Sequence, residues 1–239
     1  MILFYKSGIK FYRKIVKRSF FNIYQYVAFF IIFPLIFFLW HKEIESLKYT
    51  ILFLILPIIT AYIIPAVGTN ITNLWEFNTS FMIGKFRIYH GFVLGSVTGL
   101  FGLMFYKVSP EYVNILNSLF FALICGAFIA FWNWVYDIYA VKCGFIIVNN
   151  KPAYENKSAT EIVTDYAPVY FYMFGFVYAF YIKFLQYCMQ VTNNYLVIGF
   201  VIFLLLFLLL PTLVYICYQY KKHRIFGISK YNPNKAKEN

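Results

Sequence analysis

The sequence predicts an all-α polytopic membrane protein of about six transmembrane helices, with an N-terminal basic amphipathic interfacial helix and a small cytoplasmic cap. Two features of the composition support this class: 62% of the 239 residues are hydrophobic and only 13% are charged. In soluble globular domains, roughly a quarter of the residues are charged. The third observation is that apolar runs long enough to cross a lipid bilayer recur along the chain.

Positive charge is concentrated at the two ends of the chain. Residues 1–20 contain six Lys and Arg and no acid, and residues 221–239 contain six with one acid, so these ends carry +11 of the net +12. Cytoplasmic flanks of membrane helices have such an excess. We therefore expect both termini to be cytoplasmic, in a cell (inner) membrane, with 221–239 forming a flexible tail. No nucleic-acid partner is expected, because the sequence has no basic, aromatic-interleaved soluble domain.

Residues 1–20 place their basic side chains among aromatic and aliphatic ones at roughly helical spacing. This pattern predicts an amphipathic helix that lies in the membrane interface. A mitochondrial presequence is the alternative, because such segments are also basic and poor in acids. The first membrane span is predicted at 21–40, an uncharged stretch of twenty residues, which is long enough to cross about 30 Å of hydrocarbon.

The remaining apolar runs predict five further spans, at 50–67, 91–106, 113–141, 168–189 and 195–218. Pro57 and Pro65 interrupt the second span, which membrane helices tolerate when neighbouring groups satisfy the freed carbonyls. Lys183 lies near the far end of the fifth span, where its long side chain can snorkel to the interface. An even number of spans places both basic ends on one side, together with the connection 69–90 and the segment 142–166.

The segment 142–166 is the one connection that can fold outside the membrane, although 25 residues are too few for an independent core. We expect residues 144–154 to form a small hairpin around positions 149–150. Ser158 and Glu161 match the S-x-x-E capping box of a short helix. The segment is therefore predicted to be a cap that lies on the membrane domain.

Polar residues gather at the predicted cytoplasmic ends of the third and fourth spans. Arg87 and His90 can bind an anionic headgroup, because a helix N-terminus adds free amides and a partial positive charge. Glu76 or Asp137 can then act as a general base or hold the imidazole in one tautomer. The candidate catalytic residues are His90, Asp137 and Glu76, and the candidate substrate-binding residues are Lys85, Arg87, Asn133 and Trp132.

The same residues also have a structural interpretation. Lys85 and Arg87 lie where positively charged membrane anchors are expected, and Trp132 fits an aromatic belt at the interface. Asp137 can instead pair with Lys142, Lys85 or Arg87. No metal site is predicted, because the three histidines do not occur at a metal-binding spacing, and the sequence indicates no particular cofactor.

Three glycines form a stripe along the third span. Gly91, Gly95 and Gly99 recur every four residues, so they share one helix face. Small residues on such a face let another helix approach closely, which stabilises helix association in lipid. The stripe therefore predicts a packing surface, either within this chain or for a membrane-protein partner.

Residues 88–95, IYHGFVLG, contain a His-Gly pair. The segment resembles the His-Gly-Gly segment of prolipoprotein diacylglyceryl transferases, which are multi-span lipid-transferring enzymes. Phe92 stands where that motif has its second glycine, and the family's arginine-glycine-asparagine segment has no counterpart in this chain. The resemblance implies lipid chemistry near His90 but does not assign the chain to the family.

Three functions remain open from the sequence. The first is a membrane-embedded enzyme that acts on a lipid or prenyl substrate at the cytoplasmic interface. The second is a permease for a small solute, and the third is a non-catalytic helical subunit of a larger membrane complex. No Asp, Glu or His lies near the centre of a predicted span, which argues against a proton- or sodium-coupled transporter.

Overall fold

Six helical stretches, all long and apolar enough to cross a membrane, organise the computed structural model, which describes residues 18–234. They agree in number and order with the six apolar runs of the sequence, so the fold is mostly helical and compatible with a multi-pass membrane protein. The predicted interfacial helix at 1–20 falls outside the described residues except for 18–20, which begin the first stretch. The stretches are Arg18–Ile44, Leu47–Ile71, His90–Val108, Ile115–Lys142, Ala159–Gln190 and Leu196–His223.

The first four stretches are named α1 to α4, and the fifth is divided near Asp165. Its two parts are α6 (Ala159–Thr164) and α7 (Ala167–Gln190), and a short helix α5 (Lys151–Tyr154) precedes them. The sixth stretch is α8. One π-helical segment interrupts each of α1 and α2, at Ala28–Ile32 and Ala66–Ile71. A proline lies next to both segments, and proline removes a backbone hydrogen bond from a helix interior.

Within residues 18–234, four short strands lie outside the helices. They are β1 (Trp75–Phe77), β2 (Met82–Ile83), β3 (Phe86–Arg87) and β4 (Ile146–Val148). β2 and β3 form a local hairpin, whereas β1 pairs antiparallel with β4, with Trp75 opposite Val148. The connection between α2 and α3 is thus joined to the connection between α4 and α6.

The hairpin predicted at 144–154 is wrong. Only Ile146–Val148 is a strand, and its partner is β1 rather than the residues that follow it. The following residues form α5, because the side chain of Asn150 accepts a hydrogen bond from the Ala153 amide and a proline occupies the first turn. The capping box predicted for Ser158 and Glu161 is confirmed at the start of α6.

The cap layer, defined as residues 72–89, 143–166 and 224–234, covers one end of the helix bundle. The amide of Asn149 donates to the Leu74 carbonyl at 2.7 Å, and the amide of Tyr231 donates to the Asn149 carbonyl at 2.8 Å. Arg18 donates to the Asn78 carbonyl at 2.9 Å. Both the start of the described chain and its C-terminal segment therefore lie at this end. The segment 224–234, which was expected to be part of a flexible tail, hydrogen-bonds to the other two parts of the cap layer.

The short loops meet at the opposite end of the bundle, which is called the far end below. Lys107 and Glu43 form an ion pair there at 3.1 Å. The ammonium group of Lys183 donates to the hydroxyl of Ser109 at 2.8 Å. Lys183 therefore reaches toward the end of the bundle as predicted, but the loop covers it, because the residue is only 1% exposed.

The glycine stripe of α3 packs against α2 of the same chain. A Cβ atom at Gly91 would overlap the Tyr62 ring, and one at Gly95 would lie 2.6 Å from Cγ1 of Ile58. A Cβ at Gly99 would lie 2.7 Å from Cδ2 of Leu54. Of the two alternatives for the stripe, the described structure shows packing within this chain, because α2 occupies this face of α3.

Candidate functional site

A cavity of about 410 Å³ lies under the cap layer, between α2, α3, α4, α7 and α8. Its walls are predominantly apolar with a few polar groups, as is typical of small-molecule sites. Five of the seven predicted site residues line this cavity: Arg87, His90, Trp132, Asn133 and Asp137. The sequence therefore identified most of a set of residues that the fold brings together.

Arg87 is the buried cation of the cavity. It ends β3, is 1% exposed, and its guanidinium lies against the rings of Phe77 and Phe145, whose centroids are 4.9 and 5.3 Å from the guanidinium carbon. Its Nε donates to Nδ1 of His90, and one terminal nitrogen donates to the Tyr136 hydroxyl, both at 3.1 Å. Aromatic faces attract a guanidinium, so this position is suited to a charged group.

The Arg87 guanidinium forms no ion pair within the described part of the chain, and Asp137 interacts with it electrostatically only from beyond ion-pair distance. No carboxylate of residues 18–234 lies within 4.0 Å of it. An arginine has five N–H donors, of which only two are engaged by protein groups within this range. Burying a charge is costly unless it is paired. Arg87 therefore presents unused donors and a positive charge at the cavity.

His90 is the first residue of α3 and contacts Phe77, one of the two rings beside Arg87. Its ring centroid lies 5.0 Å from that of Phe77. Because Nδ1 accepts the hydrogen bond from Arg87, the proton of the neutral imidazole is on Nε2. In this tautomer the Nε2–H group of His90 is a hydrogen-bond donor in addition to those of Arg87. It is suited to binding an acceptor atom of a ligand rather than to removing a proton.

Asp137 is the acid of the cavity. It lies on α4, is 7% exposed, and its Oδ2 accepts a hydrogen bond from the Tyr166 hydroxyl at 2.7 Å. The ion pair expected with Lys142, Lys85 or Arg87 is not formed. Within the described part of the chain, Asp137 contributes the only carboxylate to the cavity wall.

Asn133 and Trp132 complete the predicted set along α4. Asn133 lies one turn before Asp137, and its amide nitrogen donates to the Ile129 carbonyl at 2.8 Å. Its amide oxygen is left as an acceptor. Trp132 is 45% exposed, and its ring packs edge-on against Phe101 at a centroid distance of 6.0 Å. It therefore lies where the cavity reaches the outer surface of the bundle.

Glu76 and Lys85 do not reach the cavity, so their predicted placement at a shared site is wrong. They form an exposed ion pair of 3.8 Å instead. Glu76 lies on β1 between Trp75 and Phe77, which both line the cavity. Successive side chains of a strand point to opposite faces, so Glu76 necessarily points away.

Two tyrosines that the sequence did not single out hold the charged groups in place. Tyr136 accepts from Arg87, and Tyr166 donates to Asp137. In a chain with 23 tyrosines, neither stands out by composition. Helical spacing offered one clue, because Asn133, Tyr136 and Asp137 occur at i, i+3 and i+4 and share a helix face.

A buried carboxylate next to the cavity fastens the cap layer to α8. Asp165 is fully buried, and its Oδ1 lies 2.7 Å from both Nζ of Lys222 and Nε2 of His223. Its Oδ2 accepts from Gln219 at 3.1 Å and from Asn150 at 3.3 Å. Asp165 directly precedes Tyr166, so this cluster positions the tyrosine that contacts Asp137.

An apolar groove adjoins the cavity on the side of α1. Its volume is about 320 Å³. Three of its residues, Tyr24, Trp132 and Tyr136, also line the cavity, so the two spaces are neighbours. The groove is completed by aromatic and aliphatic residues of α1 and α4: Phe20, Phe21, Val135 and Tyr139.

A metal-dependent site receives no support from the described residues. Within 18–234, no group of three or more His, Cys, Asp or Glu side chains is placed to hold a metal ion. Comparisons of the chain with protein-family models, with curated proteins and with solved structures found no match.

Proposed function

We propose that this protein is a membrane-embedded enzyme that acts on a lipid or prenyl substrate, whose polar head enters the cavity from the cytoplasmic interface. One observation carries the proposal: Arg87 and Asp137 are both buried at the same apolar cavity, yet each lacks an ion-pair partner among residues 18–234. Unpaired buried charges are expensive, and such groups cluster at functional sites.

The chemistry follows from the positions of the donors and the acid. Arg87 and the Nε2–H group of His90 bind oxygen atoms of the substrate head. Asp137, oriented by the Tyr166 hydroxyl, takes a proton from the attacking hydroxyl or gives one to the leaving group. The apolar walls limit the water around the reacting atoms, which strengthens each of these electrostatic interactions.

A permease role receives less support from the packing. Trp40, Phe53 and Tyr178 are fully buried in the half of the bundle that leads to the far end. The Tyr178 hydroxyl donates to the Phe53 carbonyl at 3.0 Å. A solute path from the cap layer to the far end would have to pass through these packed rings.

A purely structural role in a larger complex is also less well supported. The surface that suggested it, the glycine stripe of α3, is covered by α2. A subunit without chemistry has no need for Arg87 and Asp137 to be buried and unpaired beside a cavity. The enzyme hypothesis accounts for both charges at once.

The proposal is tested by replacing each of the two candidate carboxylates with the corresponding amide. The full chain, Asp137→Asn and Glu76→Gln are each produced in a heterologous host, and membrane lipids are compared by untargeted mass spectrometry. We expect the full chain to convert at least one lipid or prenyl species, and Asp137→Asn to slow this conversion by about 10²- to 10⁴-fold, the usual range for loss of a general acid or base.

Glu76→Gln is the matched control, because Glu76 points away from the cavity. It should retain activity within about threefold, as expected of a surface change far from the reacting atoms. Full conversion by Asp137→Asn, with both variants monodisperse in detergent, would contradict the role of Asp137. No lipid change with the full chain across several host membranes would contradict the enzyme hypothesis.

A further inference from the structure

The charges of the cavity indicate the sign of the group that it binds. Arg87 contributes a full positive charge with unused donors, and His90 adds a neutral N–H donor beside it. The acid, Asp137, is held separately by Tyr166. Asp137 acts on the Arg87 charge only from beyond ion-pair distance, whereas a phosphate or carboxylate head would pair with Arg87 directly through short, charge-assisted hydrogen bonds.

Tyr136 joins the polar and apolar parts of the site. Its hydroxyl accepts the hydrogen bond from Arg87 at 3.1 Å. Its ring lines the apolar groove and meets the Phe21 ring edge-on at a centroid distance of 4.9 Å. Tyr24, whose ring centroid lies 6.0 Å from that of Tyr136, also lines both spaces, so a molecule bound at Arg87 reaches the groove by passing these two rings.

The groove is suited to a hydrocarbon chain. None of the residues that line it is charged, and Phe20, Trp132 and Tyr139 are 45–58% exposed, so the groove is open along one side. It lies on the face where α1 and α4 meet the surroundings of the bundle. A hydrocarbon chain that lies in the groove contacts aromatic rings in place of lipid tails.

From this arrangement we propose that the ligand is an anionic membrane amphiphile with a phosphate or carboxylate head, bound head-first. Its head contacts Arg87 and the Nε2–H group of His90, and its hydrocarbon chain passes Tyr136 and Tyr24 into the groove. The inference rests on the proposed function for the cavity and names the substrate class of that site. It can be tested without observing turnover.

The test measures binding to the full-length protein in nanodiscs of phosphatidylcholine. The probes are dodecyl phosphate and dodecanol, each with a bromine on its chain, and binding is detected as quenching of tryptophan fluorescence, since Trp132 lines both spaces. We expect saturable quenching by the phosphate at a concentration at least about tenfold below that required for the alcohol, as a charge-assisted contact predicts. Butyl phosphate should compete only weakly, because it lacks the chain.

Substitutions test the binding of the head and the binding of the hydrocarbon chain separately. Arg87→Gln should abolish the preference for phosphate over alcohol, and Arg87→Lys, which retains the positive charge, should keep part of it. Val135→Phe should narrow the groove and weaken binding of the long-chain phosphate about tenfold, by the loss of buried methylene groups. Leu123→Phe is the matched control, because Leu123 is exposed on the same helix and lines neither space.

Each result decides one part of the inference. Equal binding of the phosphate and the alcohol to the unmodified chain, or an unchanged preference in both Arg87 variants, would overturn the anionic head. Equal effects of Val135→Phe and Leu123→Phe would overturn the groove as the chain site. Asp137→Asn should still bind the phosphate, so a failure of the proposed catalysis is distinguishable from a failure of this inference.

Discussion

At the scale of single residues, burial distinguishes the two carboxylates that the sequence offered as alternatives. Glu76 and Asp137 both lie close to predicted cytoplasmic ends of spans. Their predicted depth in the membrane therefore could not show which of the two faces a site. Glu76 alternates with Trp75 and Phe77 along a strand and faces out, whereas Asp137 faces the cavity. The orientation of a residue within a three-residue strand depends on its pairing with β4, which is remote in sequence.

Asp165 provides a residue-level prediction about stability. Asp165→Asn keeps the shape of the side chain, but its single NH₂ group must face either Lys222 and His223 or the donors of Gln219 and Asn150. We expect the free energy of unfolding to fall by about 1–3 kcal/mol, the usual effect of leaving buried hydrogen-bonding groups unsatisfied. Lys222 is 41% exposed and can turn to solvent, which keeps the loss within this range.

Thermal unfolding in detergent, followed by intrinsic fluorescence, checks this prediction. Glu155→Gln serves as the control, since Glu155 is an exposed acid of the same cap layer. A melting temperature for Asp165→Asn equal to that of the control would mean that the cluster does not stabilise the attachment of α8 to the cap layer.

At the scale of elements, the closest helix crossing involves two glycines that form no pattern in the sequence. A Cβ at Gly175 of α7 would lie 2.9 Å from Cα of Gly126 on α4. A Cβ at Gly126 would lie 2.8 Å from the Tyr172 carbonyl oxygen. The stripe of α3 could be recognised in the sequence because its glycines recur on one helix. A contact between two single glycines cannot be recognised until the relative placement of the two helices is known.

The two kinds of glycine contact predict different responses to alanine. Gly126→Ala forces a methyl group against the backbone of α7, which cannot move cheaply, so we expect a loss of about 1–3 kcal/mol from overpacking. Gly99→Ala meets the end of the Leu54 side chain, which can rotate away, so its effect should be smaller. Denaturation of the two purified variants in the same detergent compares them; an equal or larger loss for Gly99→Ala would contradict the crossing.

At the scale of the whole molecule, the cap layer and the far end differ in charge and in structure. The start of the described chain, both long connections and the C-terminal segment meet at the cap layer. Arg18 and Lys222 contact the cap layer on this side, and positive charge favours the cytoplasmic side of a membrane. We therefore propose that the cap layer is cytoplasmic and that the far end faces outward.

Cysteine accessibility tests this orientation. In a Cys217→Ser background, which removes the one exposed native cysteine of the described chain, Ser158→Cys and Asn194→Cys each place a thiol at an exposed site, the first on the cap layer and the second at the far end. We expect a membrane-impermeant maleimide to label Asn194→Cys in intact cells and Ser158→Cys only in inverted vesicles. The opposite labelling pattern would reverse the orientation, and the Cys217→Ser parent should remain unlabelled in both.

The sequence by itself determined the number and order of the apolar helices and the capping box of α6, and it singled out five of the residues that line the cavity. These features follow from properties of consecutive residues: hydrophobicity over about twenty positions sets a helix that can cross a bilayer, and a serine three residues before a glutamate caps a helix start. Arg87, His90, Asn133 and Asp137 were recognisable because ionisable and amide groups are rare beside apolar helices.

Only the tertiary structure decided which faces meet. It paired β1 with β4 across the chain, which turned Glu76 outward and replaced the local hairpin. It also placed Tyr136 and Tyr166 on the two charged groups and covered the glycine stripe with α2. Local patterns could not supply these results, because the pairing of distant segments depends on how their surfaces fit together and not on the residues next to them in sequence.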